Sequence, residues 1–338
     1  PTRDEVVLNL RTRTDNPHLF LSARSGSARA CLTKETFENP QTPPSFCMLL
    51  RKHFTGGRLL DVRPGELGLR QSDALFQHVK HLPDRFAELE AEGWLEGISV
   101  VGASTRPRAV EGSYMPCFLA GENQGRVLAG VLHVPFCPVS HQQGHIAAAA
   151  WSAGRSELLD APLLAWHLSG GTTELLYVHP QGTNVCAVRI GGTSDLSAGQ
   201  LIDRTGLLLG LDFPAGKALD ALAAEAPPCR GFPVRRNDLT FSLSGMENQV
   251  KQLAARGEAA GRIARFVLET LADVVRRCTD AALERYPGLP VLCSGGVSSN
   301  RLLRSVLDGA VFARPEYSAD NAMGVAILAR RSLEGGRA

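Results

Sequence analysis

The chain opens with short alternating apolar runs. Val6–Leu10, Leu19–Ala23 and Ala28–Leu32 each read as a strand, separated by polar turns, and together predict a small meander. Pro43-Pro44 then introduces a predicted helix over Ser45–Phe54, closed by Gly56-Gly57. From 70 to 91 the apolar period becomes helical. Leu75, Phe76, Val79 and Leu82 fall on one stripe, with a break expected near Pro83. Ile98–Gly102 reads as a buried strand, 121–132 as a helix, Phe136–Val139 as a short strand and His141–Ala153 as a helix. Leu163–Leu168, Glu174–Val178 and Val185–Ile190 predict a second meander with tight glycine turns. Helices follow at 196–209, 217–225 and 262–285, then strand Leu289–Cys293, helix 298–308, strand Val311–Ala313 and a last helix at 320–332. Strands and helices mixed in this order predict an α/β fold.

Composition narrows the class. A chain of 338 residues, 44% hydrophobic and 21% charged, is long enough for about two domains with sizeable cores. Lys and Arg number 36 against 34 Asp and Glu, so net charge alone demands neither a nucleic acid nor a membrane partner. The charge is uneven, however. Residues 1–64 hold ten basic and six acidic side chains, a net of +4, which leaves −2 for 65–338. The basic pair Arg51-Lys52 fits a solvated face or a phosphate-binding patch. No run of 18 apolar residues is present, and the first residues lack an apolar signal core, so a cytoplasmic protein is expected. The eight cysteines form no CxxC pair and read as reduced core residues.

Five segments carry candidate chemistry. In His141-Gln-Gln-Gly-His145 the two histidines share a helix face, a spacing open both to metal chelation and to a plain polar helix start. His167-Leu-Ser-Gly-Gly-Thr-Thr173 joins two strands through Gly170-Gly171, either an anion-binding turn or an ordinary hairpin. Cys293-Ser-Gly-Gly-Val-Ser-Ser-Asn300 leads a strand into a helix through Gly295-Gly296, a favoured place for nucleotide phosphates. It is not GxGxxG, so a dinucleotide fold is not indicated. Asp195 to Asp203-Arg204, continuing to Gly216, offers carboxylates for ribose hydroxyls or simply a helix surface. Asp320-Asn321 stands where a helix cap belongs.

Taken in order, VEGSYMP (110–116), PVSHQQGHIAA (138–148), HLSGGTTELL (167–176), GGTSDLSAGQLIDRTGLLLGLDFPAG (191–216), LTFSLSG (239–245), SGGVSSNRLLR (294–304) and ADNAMGVAILA (319–329) resemble the TsaD (Gcp) family of tRNA threonylcarbamoyladenosine transferases. The resemblance covers about 65–335. It implies an actin-like ATPase fold of two α/β lobes, the first incomplete, preceded by a small α+β fragment. The implied domains are 1–64 and 65–338. The implied metal ligands are His141, His145 and Asp320, with His167 a candidate fourth, for one divalent ion, iron or zinc. The implied nucleotide contacts are His167, Leu168, Ser169, Gly170, Gly171, Asp203, Gly216, Gly295, Gly296 and Asn300, around an adenylate or ATP-type nucleotide. The implied reaction moves a threonylcarbamoyl group from an adenylate to the adenosine beside the anticodon of tRNA. The implied partners are tRNA and proteins of the same pathway. No single residue is singled out as catalytic.

Departures from that family pattern are as informative. Gln143 replaces the Glu of the histidine motif, Leu196 the second of a pair of aspartates, Gln200 another Glu, and Thr172 the usual His or Asn after SGG. A divergent paralogue is the expectation. The family's first strand hairpin, of the type GIDTSxxxT(S/A)V, has no match in 1–64. Instead SARACLTKETFENPQTPPSFCMLLRKHFTGGRLLDV (22–62) resembles the N-terminal domain of the NFACT family, and implies contact with RNA or the ribosome. Impaired transfer, or a non-catalytic nucleotide- or ribosome-binding paralogue, are therefore both open. A metallopeptidase reading lacks a Glu placed as general base beside the two histidines.

Overall fold

In a computed structural model of the chain, residues 5–9, 18–22, 29–33, 71–317 and 321–335 are described. The expected helix at 45–54 and the acid Asp320 lie outside them. The chain divides into two compact units, Pro1–Gly68 and Leu69–Ala338. In the first, β1 (Glu5–Asn9), β2 (His18–Ser22) and β3 (Arg29–Thr33) form an antiparallel meander in the order β1-β2-β3.

The second unit starts with α1 (Gln71–Ala91), which runs through Pro83 without the expected break. Proline removes one backbone hydrogen bond, to the carbonyl four residues back. That residue, Val79, is 58% exposed, so its carbonyl is not sealed in a dry core. The predicted stripe is not a buried one either, since Phe76 is also exposed.

Next come β4 (Val101–Arg106), α2 (Phe118–Leu132) and β5 (Phe136–Ser140). The strand expected at Ile98–Gly102 is displaced by three residues. β4 and β5 pair in parallel and form a sheet of two strands. The face toward α2 is tight: a Cβ on Gly125 would lie 2.7 Å from the Phe136 ring.

The larger sheet is built from β6 (Leu163–Leu168), β7 (Thr173–Gln181), β8 (Asn184–Thr193), β9 (Arg236–Asn237), β10 (Thr240–Phe241), β11 (Val291–Ser294) and β12 (Val311–Phe312). Its order is β12-β11-β6-β7-β8-β10-β9. β12, β11 and β6 run parallel, while β6, β7 and β8 form the expected antiparallel meander.

Helices cover both faces of this sheet, because the period-two alternation of its central strands is apolar on both sides. On β6, Leu164, Trp166 and Leu168 enter one core with α4 (Ala198–Leu208), α5 (Gly216–Glu225), α6 (Ser244–Ala255) and the long α7 (Ala260–Arg285). Leu163 and Ala165 enter the opposite core with α3 (His141–Ser152). After β11 a 3-10 turn, Gly296–Ser299, leads into the short α8 (Arg301–Val306), and α9 (Ala322–Gly335) closes the described chain. No helix among the described residues is long and apolar enough to cross a membrane.

The expected core cysteines are only partly so. Cys278 and Cys293 are buried, and burial pushes their thiols up to about 11 and about 12; Cys117, Cys137, Cys186 and Cys229 are half-buried.

Candidate functional site

The site is set by the start of α3 and the C-terminal ends of β6 and β11. Ser140 caps α3 by accepting from the Gln143 N–H, and the Gln143 side chain accepts from the Ser140 N–H at 2.7 Å, a reciprocal capping box. This fixes the first helical turn, from which His141 and His145 project. Gln143 is buried, and its amide Nε2 also donates to the Val185 carbonyl at 2.6 Å. A glutamate there would lose that donor and turn an acceptor toward an acceptor. Gln143→Glu is therefore expected to lower stability by about 1–3 kcal/mol at neutral pH, read as a lower denaturation midpoint.

The two histidines meet with Nε2 atoms 3.0 Å apart. Two nitrogens each about 2.1 Å from one ion would be separated by about 3.0 Å at a right angle and about 3.4 Å at the tetrahedral angle. The spacing fits a shared ion. Burial lowers the basicity of His141, partly offset by the Asn321 side chain.

His167 comes to the same place from β6. Strand alternation puts it on the side of Leu163 and Ala165, which is the side of α3, and its ring centroid lies 5.0 Å from that of His145. Ser294, at the end of β11, donates its hydroxyl proton to the Trp166 carbonyl (3.2 Å) and stands 3.1 Å from His167 Nδ1. With that proton used, Nδ1 carries the ring proton of His167 and donates it to Ser294, which leaves the Nε2 lone pair available. Burial foremost, then His145, His141 and Arg108, holds the His167 imidazole down to about 3, so the ring is neutral at physiological pH.

The start of α9 completes the approach. Asn321 Nδ2 donates to the His141 carbonyl at 2.6 Å, and Ser104 donates to Asn321 Oδ1 at 2.7 Å. The helices touch backbone to backbone: a Cβ on Gly324 would sit 1.8 Å from the Gly144 carbonyl oxygen. Asp320, one residue before Asn321, is outside the described residues, and among those described no three His, Cys, Asp or Glu side chains are set around one ion.

The nucleotide candidates are linked in a row. Gly295 has φ +89°, and a Cβ there would lie 2.2 Å from the Leu168 carbonyl, so only glycine lets β11 turn this closely past β6. Gly199 on α4 approaches Ser169 and Gly170 as tightly, and Ser197 donates to the Gly170 carbonyl at 2.6 Å. By contrast, Gly170, Gly171 and Gly296 face open space. Leu168 and Asn300 line one small apolar hollow with Ala198, Val275, Val297 and Leu303. Two candidates already hold protein partners. Asp203 Oδ1 accepts from the Ala215 N–H (3.0 Å) just before Gly216, leaving Oδ2 without a protein hydrogen bond among the described residues. Asn300 caps α8 through Leu303 and donates to Asp220 at 2.5 Å.

Asp195 is absorbed into structure. Burial favours its neutral form, but hydrogen bonds from Ser242, the Leu243 amide, Ser244 and the Leu196 amide outweigh this and hold its carboxyl well below the usual range.

One cluster was not anticipated from sequence. Glu174, cross-strand neighbour of His167 on β7, is buried and ion-paired to Arg108 from the loop after β4; Arg189 of β8 lies 3.7 Å from the same oxygen. The pairing joins residues 66 apart, which no local pattern announces.

The chain has an actin-like ATPase-type α/β fold. The same fold is found in full-length HypF solved in a phosphate- and nucleotide-bound form, with a TM-score of 0.50 at 16% identity, over 64% of this chain and 38% of that one. The sequence is more specific. Residues 90–327 match the family model TsaD, tRNA N6-adenosine threonylcarbamoyltransferase, and the chain belongs to that family. Residues 1–67 match the model for NFACT N-terminal and middle domains. Among curated relatives, a tRNA N6-adenosine threonylcarbamoyltransferase of Enterococcus faecalis is 34% identical over 57% of this chain and 56% of its own length. One of Streptococcus pneumoniae is 31% identical over 68% of each. The chain thus spans little more than half of the enterococcal relative.

Proposed function

We propose that the body of this protein binds one divalent ion and an adenylate, and transfers a threonylcarbamoyl group to the adenosine beside the anticodon of tRNA. The observation that carries this reading is the pair of His141 and His145 Nε2 atoms 3.0 Å apart, with the His167 ring beside His145 and Asn321 pinned to the His141 carbonyl. The pin brings Asn321 to the histidine helix, and the family resemblance nominates Asp320, the preceding residue in sequence, as the acidic ligand. Three imidazoles and a carboxylate form a mixed nitrogen and oxygen set suited to iron or zinc. A bound ion would polarise and orient the carbamoyl group.

The chain's own groups do the rest. The uncrowded Gly170, Gly171 and Gly296 leave their amides approachable by a phosphate, Asp203 Oδ2 suits a ribose hydroxyl, and the hollow at Leu168 and Asn300 suits an apolar base face. Seven-stranded sheet and glycine turns act as a preorganised frame, so the groups need no rearrangement when charge develops.

The test is transfer of threonylcarbamoyl from its adenylate to unmodified tRNA, read by nucleoside mass spectrometry. Gly296→Val is expected to weaken adenylate binding more than tenfold while leaving the denaturation midpoint nearly unchanged, because its side chain would enter the ligand's space and not the core. Equal affinity in variant and wild type contradicts the nucleotide assignment. Transfer is expected to be slow, since no stretch of residues 1–64 resembles the family's first strand hairpin.

The NFACT match and the +4 charge of 1–64 favour a second reading, in which the N-terminal unit contacts RNA or ribosome and the body binds nucleotide without turnover. Slow or absent transfer combined with salt-sensitive RNA binding would select it. Both readings place the protein in the cytoplasm.

A further inference from the structure

The Arg108–Glu174 pair is more than a brace. Arg108 sits in a loop held at both sides: its backbone N–H donates to Ser113 Oγ at 3.0 Å, and the carbonyl of Pro107 accepts from the Gln142 N–H at 3.0 Å. The second bond ties the loop to the first turn of α3, beside His141. Its guanidinium is then anchored through one nitrogen, Nη2, to the buried Glu174. Nε and Nη1 have no protein hydrogen bond among the described residues, and the side chain is 45% exposed. Arg189, the second cation at Glu174, is committed elsewhere: Nε donates to the Gly191 carbonyl and Nη2 to the Thr193 carbonyl at 2.6 Å. Two guanidinium groups against one carboxylate leave the corner with a formal charge of +1.

A cation fixed at its base by a buried carboxylate, with two donors left over on a loop held by two hydrogen bonds, can hold an anion in the planar, two-pronged way a guanidinium allows. We infer that Arg108 is the anion-recognition residue of this site, binding the carboxylate or the phosphate of the ligand that reaches the histidines, with Glu174 as its positioning residue. The inference rests on the transferase reading for its ligand. The anion has two sources in that ligand, the carboxylate of the threonyl moiety and the phosphate of the adenylate. Arg108 would recognise charge in either without touching the adenine or the ribose.

The test separates these sources. Isothermal titration of the full chain would compare AMP with adenosine, and N-carbamoyl-L-threonine with its methyl ester. The wild type is expected to prefer the charged member of at least one pair by about tenfold, the order of one charge-assisted hydrogen bond. Arg108→Gln should remove most of that preference in the pair that Arg108 reads, and Arg108→Lys should keep more of it. Loss confined to the AMP pair assigns the phosphate; loss confined to the carbamoyl-threonine pair assigns the carboxylate. Arg108→Gln alone strands a buried carboxylate, so the double variant Arg108→Gln, Glu174→Gln is measured beside it and should fold while showing the same lost preference. A wild type without preference in either pair, or a double variant that retains it, overturns the inference. Failure of adenosine itself to bind would count against the nucleotide assignment alone, because the carbamoyl-threonine pair still reads Arg108.

Discussion

Replacing both His141 and His145 with alanine is expected to reduce metal affinity by well over a hundredfold. Loss of a single outer group that merely orients a ligand costs about 10–100-fold in affinity. Here two direct ligands would go, and their Nε2 atoms are already at the 3.0 Å spacing that one ion requires. Metal content after dialysis against iron or zinc buffers, measured by mass spectrometry, checks it. The fold should survive, because α3 is held by its capping box and by an alanine-rich buried face, neither of which involves the imidazoles. Equal metal content in variant and wild type would remove the site assignment.

The second large effect is expected at Gly324. A side chain there meets the backbone of α3: the Gly144 carbonyl oxygen at 1.8 Å, its carbon at 2.6 Å and the Ala148 nitrogen at 2.9 Å. None of these is the flexible end of a side chain, so two helices must part. Gly324→Val is expected to cost about 3 kcal/mol, or roughly 5–10 °C in Tm. It should also carry Asn321 away from the His141 carbonyl. Metal affinity should therefore fall along with stability. Gly171, which faces open space, is the control: alanine there should change neither quantity. A Gly324→Val protein with wild-type Tm and metal content would show that the α3–α9 crossing is looser than described.

These effects bear on what a sequence can disclose. The i, i+4 spacing of His141 and His145 is a local property of a helix, and it was legible as such. The strand meander from Leu163 to Ile190 was legible because turns and alternation are local too. His167 could have been aimed by alternation alone, since Leu163, Ala165 and His167 share a parity. The Arg108–Glu174 pair was not legible, because tertiary packing brings a loop after β4 to β7 across 66 positions. The strand begins at Val101, not Ile98, because Ile98–Gly102 is the more apolar run in sequence while pairing with β5 selects Val101–Arg106. Helix α6 was missed: SGMENQVKQLAA is mostly polar, and it buries only Met246 and Val250. At Pro83 the helix continues, since an exposed helix tolerates a missing bond that a buried one does not.

Asn300 and Asp203 give a further lesson. Family resemblance nominates both as nucleotide contacts, yet each has a structural duty, Asn300 to Leu303 and Asp220, Asp203 to Ala215. Gln143 shows the converse. Its departure from the family's glutamate has a physical account, the donation to the Val185 carbonyl that a carboxylate cannot make.

The central claim is that α3, β6 and the start of α9 bring their ligands to one ion. X-ray absorption spectroscopy on the metal-loaded full chain tests it most directly. The account predicts one ion per chain with two to three imidazole nitrogens and at least one oxygen, all at roughly 2.0–2.2 Å. One imidazole fewer is expected in His167→Ala, and one oxygen fewer in Asp320→Ala. An ion ligated by oxygen alone, or a spectrum unchanged by both substitutions, would contradict it.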